Sequence, residues 1–218
     1  MGIKVAKFGG SSVADGIQLT KTKEIIRHDP DRKYIVVSAP GKRFEGDSKI
    51  TDILYLCKTH IDHNLPYDQL FQVVADRYMA VEINLGVKVD LLEHFDEIRE
   101  NLRNNPSADY IASRGEYLNA ILVAAFLGYD FVDTEGLIKF DEKGRLLTEE
   151  TDAALREELA KHERAVLPGF YGSTPDGKIK TFSRGGSDIT GALVARAVKA
   201  DVYENWTDVS GFLMADPR

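Results

Sequence analysis

The sequence has a single cysteine, Cys57, and no apolar run long enough to cross a membrane. One thiol cannot form an internal disulfide, and such sparse cysteine is typical of a reducing compartment, so we expect a cytoplasmic protein. The longest apolar stretch, Ala120 to Leu127, is far shorter than the ~20 residues that a membrane helix needs. The first residues also lack the apolar segment of a secretion signal. We therefore expect no membrane attachment.

The sequence has fewer basic than acidic residues, with 28 Lys and Arg against 35 Asp and Glu and a formal net charge of -7. An acidic surface repels nucleic acid and anionic lipid, which excludes most proteins that bind either. Small-molecule chemistry is favoured, and an anionic substrate would need cations concentrated at its site. The length of 218 residues and the 43% hydrophobic content suit a globular protein with a sizeable core.

Short apolar strands alternate with helical patterns along the chain. This alternation predicts an α/β sandwich with a mainly parallel sheet, whose strands are buried on both faces. The predicted strands are residues 3–8, 34–37, 131–132, 165–167 and 202–206. Helices are expected within 50–105, before Gly128, over 151–161 and after Asp188, and the glycine-rich stretch after Pro168 is expected to form loops and a hairpin.

Local signals predict how some helices begin and which way they face. Ser11 and Ser12 are good N-caps for a first helix, and Ser187 with Asp188 can cap a late one. In the helix before Gly128, one apolar stripe is expected, with Glu116 on the opposite side. The residues of that stripe are Ile111, Leu118, Leu122 and Ala125.

Lys7 ends the first strand and precedes Gly9 and Gly10. Glycine lets backbone N–H groups approach phosphate oxygens, and a lysine there can neutralise charge that develops in phosphoryl transfer. An ordinary glycine turn beside an exposed lysine is the alternative.

The stretch from Gly41 to Ser48 imitates the start of a P-loop, but Asp47 stands where the pattern needs lysine. We expect a mobile loop over the site instead. Thr51 could donate its hydroxyl to a substrate or cap the next helix.

A second glycine turn, Arg184 to Asp188, combines a cation, Gly185, Gly186, a serine and an acid. Arginine suits a carboxylate or phosphate, and exposed N–H groups of the glycines suit an anion. Asp188 could orient the reacting groups or hold Mg2+, or it could be a first-turn acid favoured by the helix dipole.

Glu116 follows Gly115 inside a helical pattern, where a glycine indicates close approach of another group. Glu116 could then bind an ammonium group, with a surface glutamate as the alternative. Cys57, His60 and His63 fan around their helix, so we predict no metal site there.

Five segments occur in the order found in aspartate kinases, and the sequence resembles that family over essentially all its length. The resemblance implies the amino-acid kinase fold, a three-layer αβα sandwich, and ATP-dependent phosphorylation of the L-aspartate side chain in lysine, threonine and methionine biosynthesis. The segments are Lys7–Val13, Ser113–Glu116, Ser183–Asp188, Trp206–Gly211 and Asp216–Arg218.

The resemblance also implies roles for matching residues. Lys7 and Asp188 would be catalytic; Thr51, Glu116 and Arg184 would bind aspartate; and Mg2+ would bridge the ATP phosphates without a dedicated protein metal site. The residues implied for ATP and phosphate are Lys7, Gly9, Gly10, Ser11, Gly185, Gly186, Ser187, Thr207, Asp208 and Arg218. A homo-oligomer is a further implication.

Two departures from the family pattern affect these expectations. Leu213 stands where a tyrosine is common, and the family continues beyond the position of Arg218 with a nucleotide-contacting lysine and regulatory ACT domains. We therefore expect residues 1–218 to form a kinase domain that is incomplete at its carboxyl end. An inactive aspartate-binding or assembly fragment, or a kinase for glutamate, N-acetylglutamate, carbamate or UMP, remains an alternative.

Overall fold

A computed structural model describes residues 2–183 and 185–207 and has a five-stranded sheet between helical layers. The strands are β1 (Lys4–Phe8), β2 (Arg32–Val37), β3 (Asp130–Phe131), β4 (Ala165–Pro168), β5 (Tyr171–Ser173), β6 (Ile179–Thr181) and β7 (Val202–Trp206). The helices are α1 (Gly16–His28), α2 (Ile50–Asp62), α3 (Asp68–Leu85), α4 (Leu91–Arg103), α5 (Ala108–Leu127), α6 (Thr148–Leu159) and α7 (Gly186–Ala197). Within these described residues, no helix combines the length and apolar character needed to span a bilayer.

The main sheet has the strand order β3-β4-β2-β1-β7, and every neighbouring pair is parallel. Strands β5 and β6 form a separate antiparallel hairpin. The predicted parallel sheet and hairpin are therefore confirmed. Because parallel strands share one carboxyl edge, the turns after β1 and β2 meet the end of β7 there, which is where α/β proteins commonly place their sites.

Side chains of β1 alternate between two separate cores. Ala6 and Phe8 join one cluster with residues of α1 to α5, whereas Val5 joins the other with residues of α6 and α7. This period of two is the ordinary geometry of a strand, and it confirms the three-layer αβα arrangement. Lys7 lies on the same side of β1 as Val5, so its side chain faces α7.

The predicted N-caps of α1 and α7 are wrong. Residues 10–13 form a short 3-10 helix, and Asp15 caps α1 by accepting a hydrogen bond from the Gln18 N–H at 2.8 Å. Gly185 is the N-cap of α7, with a left-handed φ of 58°. Glycine adopts that conformation without steric penalty, so α7 begins earlier than predicted and Asp188 lies in its first turn.

Helix α5 is buried on almost every side from Ile111 to Ala124. It packs against α2, α3, α4, β2, β4 and β6, which explains why a single apolar stripe underestimates its burial. Ala125 is exposed, contrary to the predicted stripe, while Ile111, Leu118 and Leu122 are buried. Glu116 is also buried, so the surface-glutamate alternative is wrong.

Candidate functional site

Lys7 and Asp188 form an ion pair at the carboxyl edge of the sheet, with 2.6 Å between Nζ and Oδ1. The lysine side chain is 9% exposed and the aspartate side chain 48% exposed. The pair therefore places a nearly buried ammonium beside a carboxylate that solvent and ligands can reach. Sequence reasoning selected both residues, and the structure brings them together.

Two residues of β7 hold Asp188 in place, and neither was predicted from the sequence. The Tyr203 hydroxyl donates to the backbone carbonyl of Asp188 at 3.0 Å, and Asn205 Nδ2 donates to Asp188 Oδ1 at 3.3 Å. Asn205 lies opposite Lys7 in the β1–β7 register. Its own Oδ1 is buried without a hydrogen-bond partner, an arrangement that is unusual and needs a reason.

The glycines after β1 lie close to neighbouring groups. A Cβ on Gly9 would stand 3.4 Å from Lys7 Nζ, and a Cβ on Gly10 would stand 2.9 Å from the Ala39 carbonyl oxygen. The Gly41 N–H donates to the Gly10 carbonyl at 2.9 Å. Close backbone packing of the turns after β1 and β2 thus accounts for Gly10, whether or not it also contacts phosphate.

A cavity of about 440 Å³ opens beside these turns, on the α2 and α5 side of the sheet. Thr51 lines it from the first turn of α2, whose N-cap is Lys49, so the alternative that Thr51 caps this helix is wrong. The lining residues are Gly10, Ser11, Ser38, Ala39, Pro40, Gly41, Lys42, Lys49, Thr51 and Glu116.

Glu116 gives this cavity its most unusual group. The side chain is buried, and Oε2 has no hydrogen-bond partner. Burial raises the pKa of Glu116 to about 8, although hydrogen bonds from the Ala39 and Glu116 backbone N–H groups and the charge of Arg114 oppose the shift. An unpaired buried carboxyl oxygen is costly, and a cationic ligand group would satisfy it.

The start of α7 is tightly packed. A Cβ on Gly186 would lie 2.7 Å from Phe170 Cδ2, and a Cβ on Gly169 would lie 2.5 Å from Ser187 Oγ. Gly185 is exposed and remains accessible to a ligand. Thr207 follows β7 at the same carboxyl edge.

The chain matches the family model described as the amino acid kinase family over residues 2–218. It belongs to the amino acid kinase family. Similar proteins within that family include Aspartokinase 3 of Bacillus subtilis, which is 37% identical over 99% of this chain and 50% of its own length. The chain thus spans about half the length of the curated relatives it matches.

Solved structures of this family resemble the chain closely. The crystal structure of Clostridium acetobutylicum aspartate kinase superimposes with a TM-score of 0.94 and 47% identity over all of this chain and 50% of that chain. A structure of Escherichia coli aspartokinase III in complex with aspartate and ADP has a TM-score of 0.79 over 96% of this chain and 50% of that chain. At 24% identity, this structural likeness shows that the two chains share a fold and no more.

Several residues expected from the family resemblance lie outside the described part of the chain. These are Arg184 on the aspartate side and Asp208 and Arg218 on the nucleotide side, together with Leu213. Among the residues that are described, no group of three or more His, Cys, Asp or Glu side chains could hold a metal ion. Cys57 is buried in the core, where burial raises its pKa to about 11.

Proposed function

We propose that this chain transfers the γ-phosphoryl group of ATP to the side-chain carboxylate of L-aspartate, giving 4-phospho-L-aspartate and ADP. The observation that carries the proposal is the unpaired, buried Oε2 of Glu116 at a cavity that also contains Lys42 and Lys49. A buried carboxyl group that shares a cavity with two lysines suits an amino acid with an additional carboxylate, whose ammonium group would favour the ionised form of Glu116. Similarity to aspartokinases, one of them crystallised with aspartate and ADP, supports the same conclusion.

In this proposal Glu116 binds the α-ammonium group of aspartate, Arg184 binds a carboxylate, and Thr51 donates a further hydrogen bond. A side-chain carboxylate oxygen of aspartate attacks the γ-phosphorus, and the bond from phosphorus to the β,γ-bridging oxygen breaks to release ADP. The attacking carboxylate is already deprotonated at neutral pH, so no general base is required. Catalysis then consists of positioning and charge stabilisation.

Lys7 would neutralise charge on the phosphoryl group during transfer, and Asp188 would hold Lys7 in place. Backbone N–H groups of Gly10 and Ser11 would face the phosphates, and Gly9, whose N–H donates to the Trp206 carbonyl at 3.1 Å, would let a phosphate approach closely because it has no side chain. The remaining phosphate and nucleotide contacts are assigned to Gly185, Gly186, Ser187, Thr207, Asp208 and Arg218. This arrangement needs no covalent enzyme intermediate.

Mg2+ is a further part of the proposal. The ion typically binds one or two protein carboxylates and completes its shell with substrate phosphates and water. The half-exposed carboxylate of Asp188 fits that requirement at the carboxyl edge. Mg2+ would neutralise charge on the ATP phosphates there. We also place the reaction in the cytoplasm, in the pathway to lysine, threonine and methionine, and we expect the chain to pair with further copies.

A second candidate is an aspartate-binding or assembly module without turnover. It is supported by the cavity around Glu116, which offers a carboxyl group and two lysines to an amino acid. Aspartate binding in calorimetry without ADP release would identify this candidate.

The test is coupled ADP release with MgATP and three acceptors, namely L-aspartate, L-glutamate and N-acetyl-L-aspartate. We expect ADP to appear with aspartate only. Acetylation removes the ammonium cation that Glu116 requires, and the extra methylene of glutamate displaces the reacting carboxylate from the phosphoryl group. Equal rates with aspartate and its N-acetyl derivative would contradict the assignment of Glu116. Calorimetry that detects no aspartate binding would overturn the kinase proposal and the aspartate-binding form of the second candidate.

A further inference from the structure

Arg77, on α3, is a buried arginine that reaches the loop between β2 and α2. We call residues 41–48 the acceptor loop. The Arg77 side chain is only 7% exposed. Its Nη2 donates to the Gly41 carbonyl at 2.8 Å, and its Nη1 donates to the Ser48 carbonyl at 2.6 Å. A single guanidinium group therefore joins the first and last residues of the loop.

Two side chains within the acceptor loop also bond to each other. Asp47 Oδ2 accepts hydrogen bonds from Arg43 Nε at 2.8 Å and from the Arg43 N–H at 3.0 Å, and Oδ1 accepts from Arg43 Nη2 at 3.0 Å. Asp47 Oδ2 lies 3.7 Å from Arg77 Nη2. These contacts hold the pKa of Asp47 well below its usual range, with the Arg43 hydrogen bond as the largest cause.

The two ends that Arg77 fixes are next to the two lysines of the cavity. Lys42 follows Gly41 and Lys49 follows Ser48, and both lysines line the cavity that contains Glu116. Arg77 itself does not line the cavity. Only arginine presents two N–H donors in a fixed planar fork, which matches two carbonyls at the two ends of a loop.

We propose that Arg77 is a positioning residue for acceptor binding, which holds the acceptor loop so that Lys42 and Lys49 meet the carboxylate groups of a dicarboxylic amino acid bound at Glu116. The naming of that ligand rests on the proposed function, whereas the fixation of the loop does not. Two lysines supply the positive charge that an acidic protein needs locally to bind a dianionic group.

The test compares Arg77→Met with Arg77→Lys and with a control, Arg99→Met. Arg99 lies on α4, contacts the Phe71 ring and bonds to Gln72 and Asp96, away from the acceptor loop. Calorimetry measures aspartate binding to the full chain, and hydrogen–deuterium exchange measures backbone protection of residues 41–49. A denaturant titration reports the stability of each variant.

We expect Arg77→Met to bind aspartate at least tenfold more weakly and to exchange faster in residues 41–49, with β1 and α5 unchanged. Arg77→Lys keeps the positive charge but lacks the planar guanidinium group. Its loss of aspartate affinity and its increase in exchange over residues 41–49 should therefore be intermediate. Arg99→Met should bind as the wild type does. Lys42→Met should weaken aspartate binding without changing exchange in the loop, because that variant removes a contact and leaves the fixation intact.

Aspartate affinity within twofold of wild type in folded Arg77→Met would overturn the proposal, since a purely structural arginine lowers stability alone. If Arg77→Met does not fold, the same criterion applies to Arg77→Lys. Unchanged loop exchange in either variant would overturn the positioning role by itself. A wild-type chain that binds no aspartate would overturn the proposed function and the ligand named here, and the exchange measurement distinguishes that outcome from failure of the loop fixation.

Discussion

Lys7 Nζ and Asp188 Oδ1 lie 2.6 Å apart, which joins the end of β1 to the first turn of α7. The ammonium is enclosed, whereas nearly half of the carboxylate side chain is open. A ligand phosphate can therefore approach the pair from the side of Asp188, where it would compete for the ammonium.

Replacing Lys7 by methionine should lower turnover by about a hundredfold or more, because one preorganised donor at a developing charge contributes this much. Aspartate affinity should stay within about tenfold of wild type, since Lys7 acts mainly in the transition state. Steady-state kinetics and calorimetry measure the two quantities. Lys4→Met is the control, because Lys4 lies at the other end of β1 and pairs with Asp29. A large loss of affinity with kcat unchanged would contradict the assignment.

Glu116 should make the stability of the wild type depend on pH. Its pKa is about 8 in the folded chain and 4.5 ordinarily, so between these values the folded state retains a proton that the unfolded state has lost. The free energy of unfolding should therefore fall as pH rises from 5 to 8, by at most about 1.4 kcal/mol per pH unit from this group. Above pH 8 this contribution should level off.

Denaturant titrations of wild type and Glu116→Gln at pH 5, 6, 7 and 8 test this expectation. The glutamine variant cannot ionise, so the difference in unfolding free energy between the two chains should change in favour of the variant as pH rises. A constant difference across this range would show that Glu116 does not titrate there.

Asn205 keeps a buried oxygen unpaired while its amide donates to Asp188. Substitution by leucine removes that unpaired acceptor, whose burial typically costs about 1–3 kcal/mol, and also removes the single hydrogen bond. We expect Asn205→Leu to be as stable as wild type or more stable, and to turn over more slowly because Asp188 is less well held. Thermal unfolding and kinetics measure both effects. Reduced stability with unchanged turnover would assign Asn205 to the fold alone.

Gly115 lies where α5 meets the turn after β2. A Cβ added there would stand 2.9 Å from Ala39 Cβ and 3.3 Å from Ile50 Cγ2. Overpacking of this kind destabilises by about 1–3 kcal/mol, which should exceed the ~1 kcal/mol that alanine contributes to a helix. Gly115→Ala should therefore be less stable in a denaturant titration. Gly136→Ala is the control, since nothing lies within 4 Å of the added Cβ there, and its stability should be nearly unchanged.

The sheet could be predicted because its strands are short, buried runs such as 34–37, whose local sequence is sufficient. Lys7 could be selected for the same reason, as the polar residue at the end of such a run. The N-cap of α1 could not be predicted, since Ser11, Ser12 and Asp15 are all good N-caps within five positions. Both serines lie in the 3-10 helix of residues 10–13, which leaves Asp15 as the N-cap.

The burial of a side chain by elements that are distant in the sequence could not be predicted either. The environment of Glu116 is set by Ala39 after β2 and by the packing of α5 against several elements. The role of Asn205 requires the register that places it beside Lys7 and the contact with α7. An asparagine inside a predicted parallel strand was the one local signal that could have drawn attention to it.

The alternation of β1 has a consequence for how this protein could be altered. Lys7 projects toward α7, whereas Glu116 and its cavity lie on the α2 and α5 side, so the sheet edge is a partition between two half-sites. The α2 and α5 wall could then be redesigned for a different acceptor while the lysine and its carboxylate keep their arrangement. Under the proposed function, acceptor choice and phosphoryl chemistry would evolve separately, because the two half-sites meet at the glycines that follow β1.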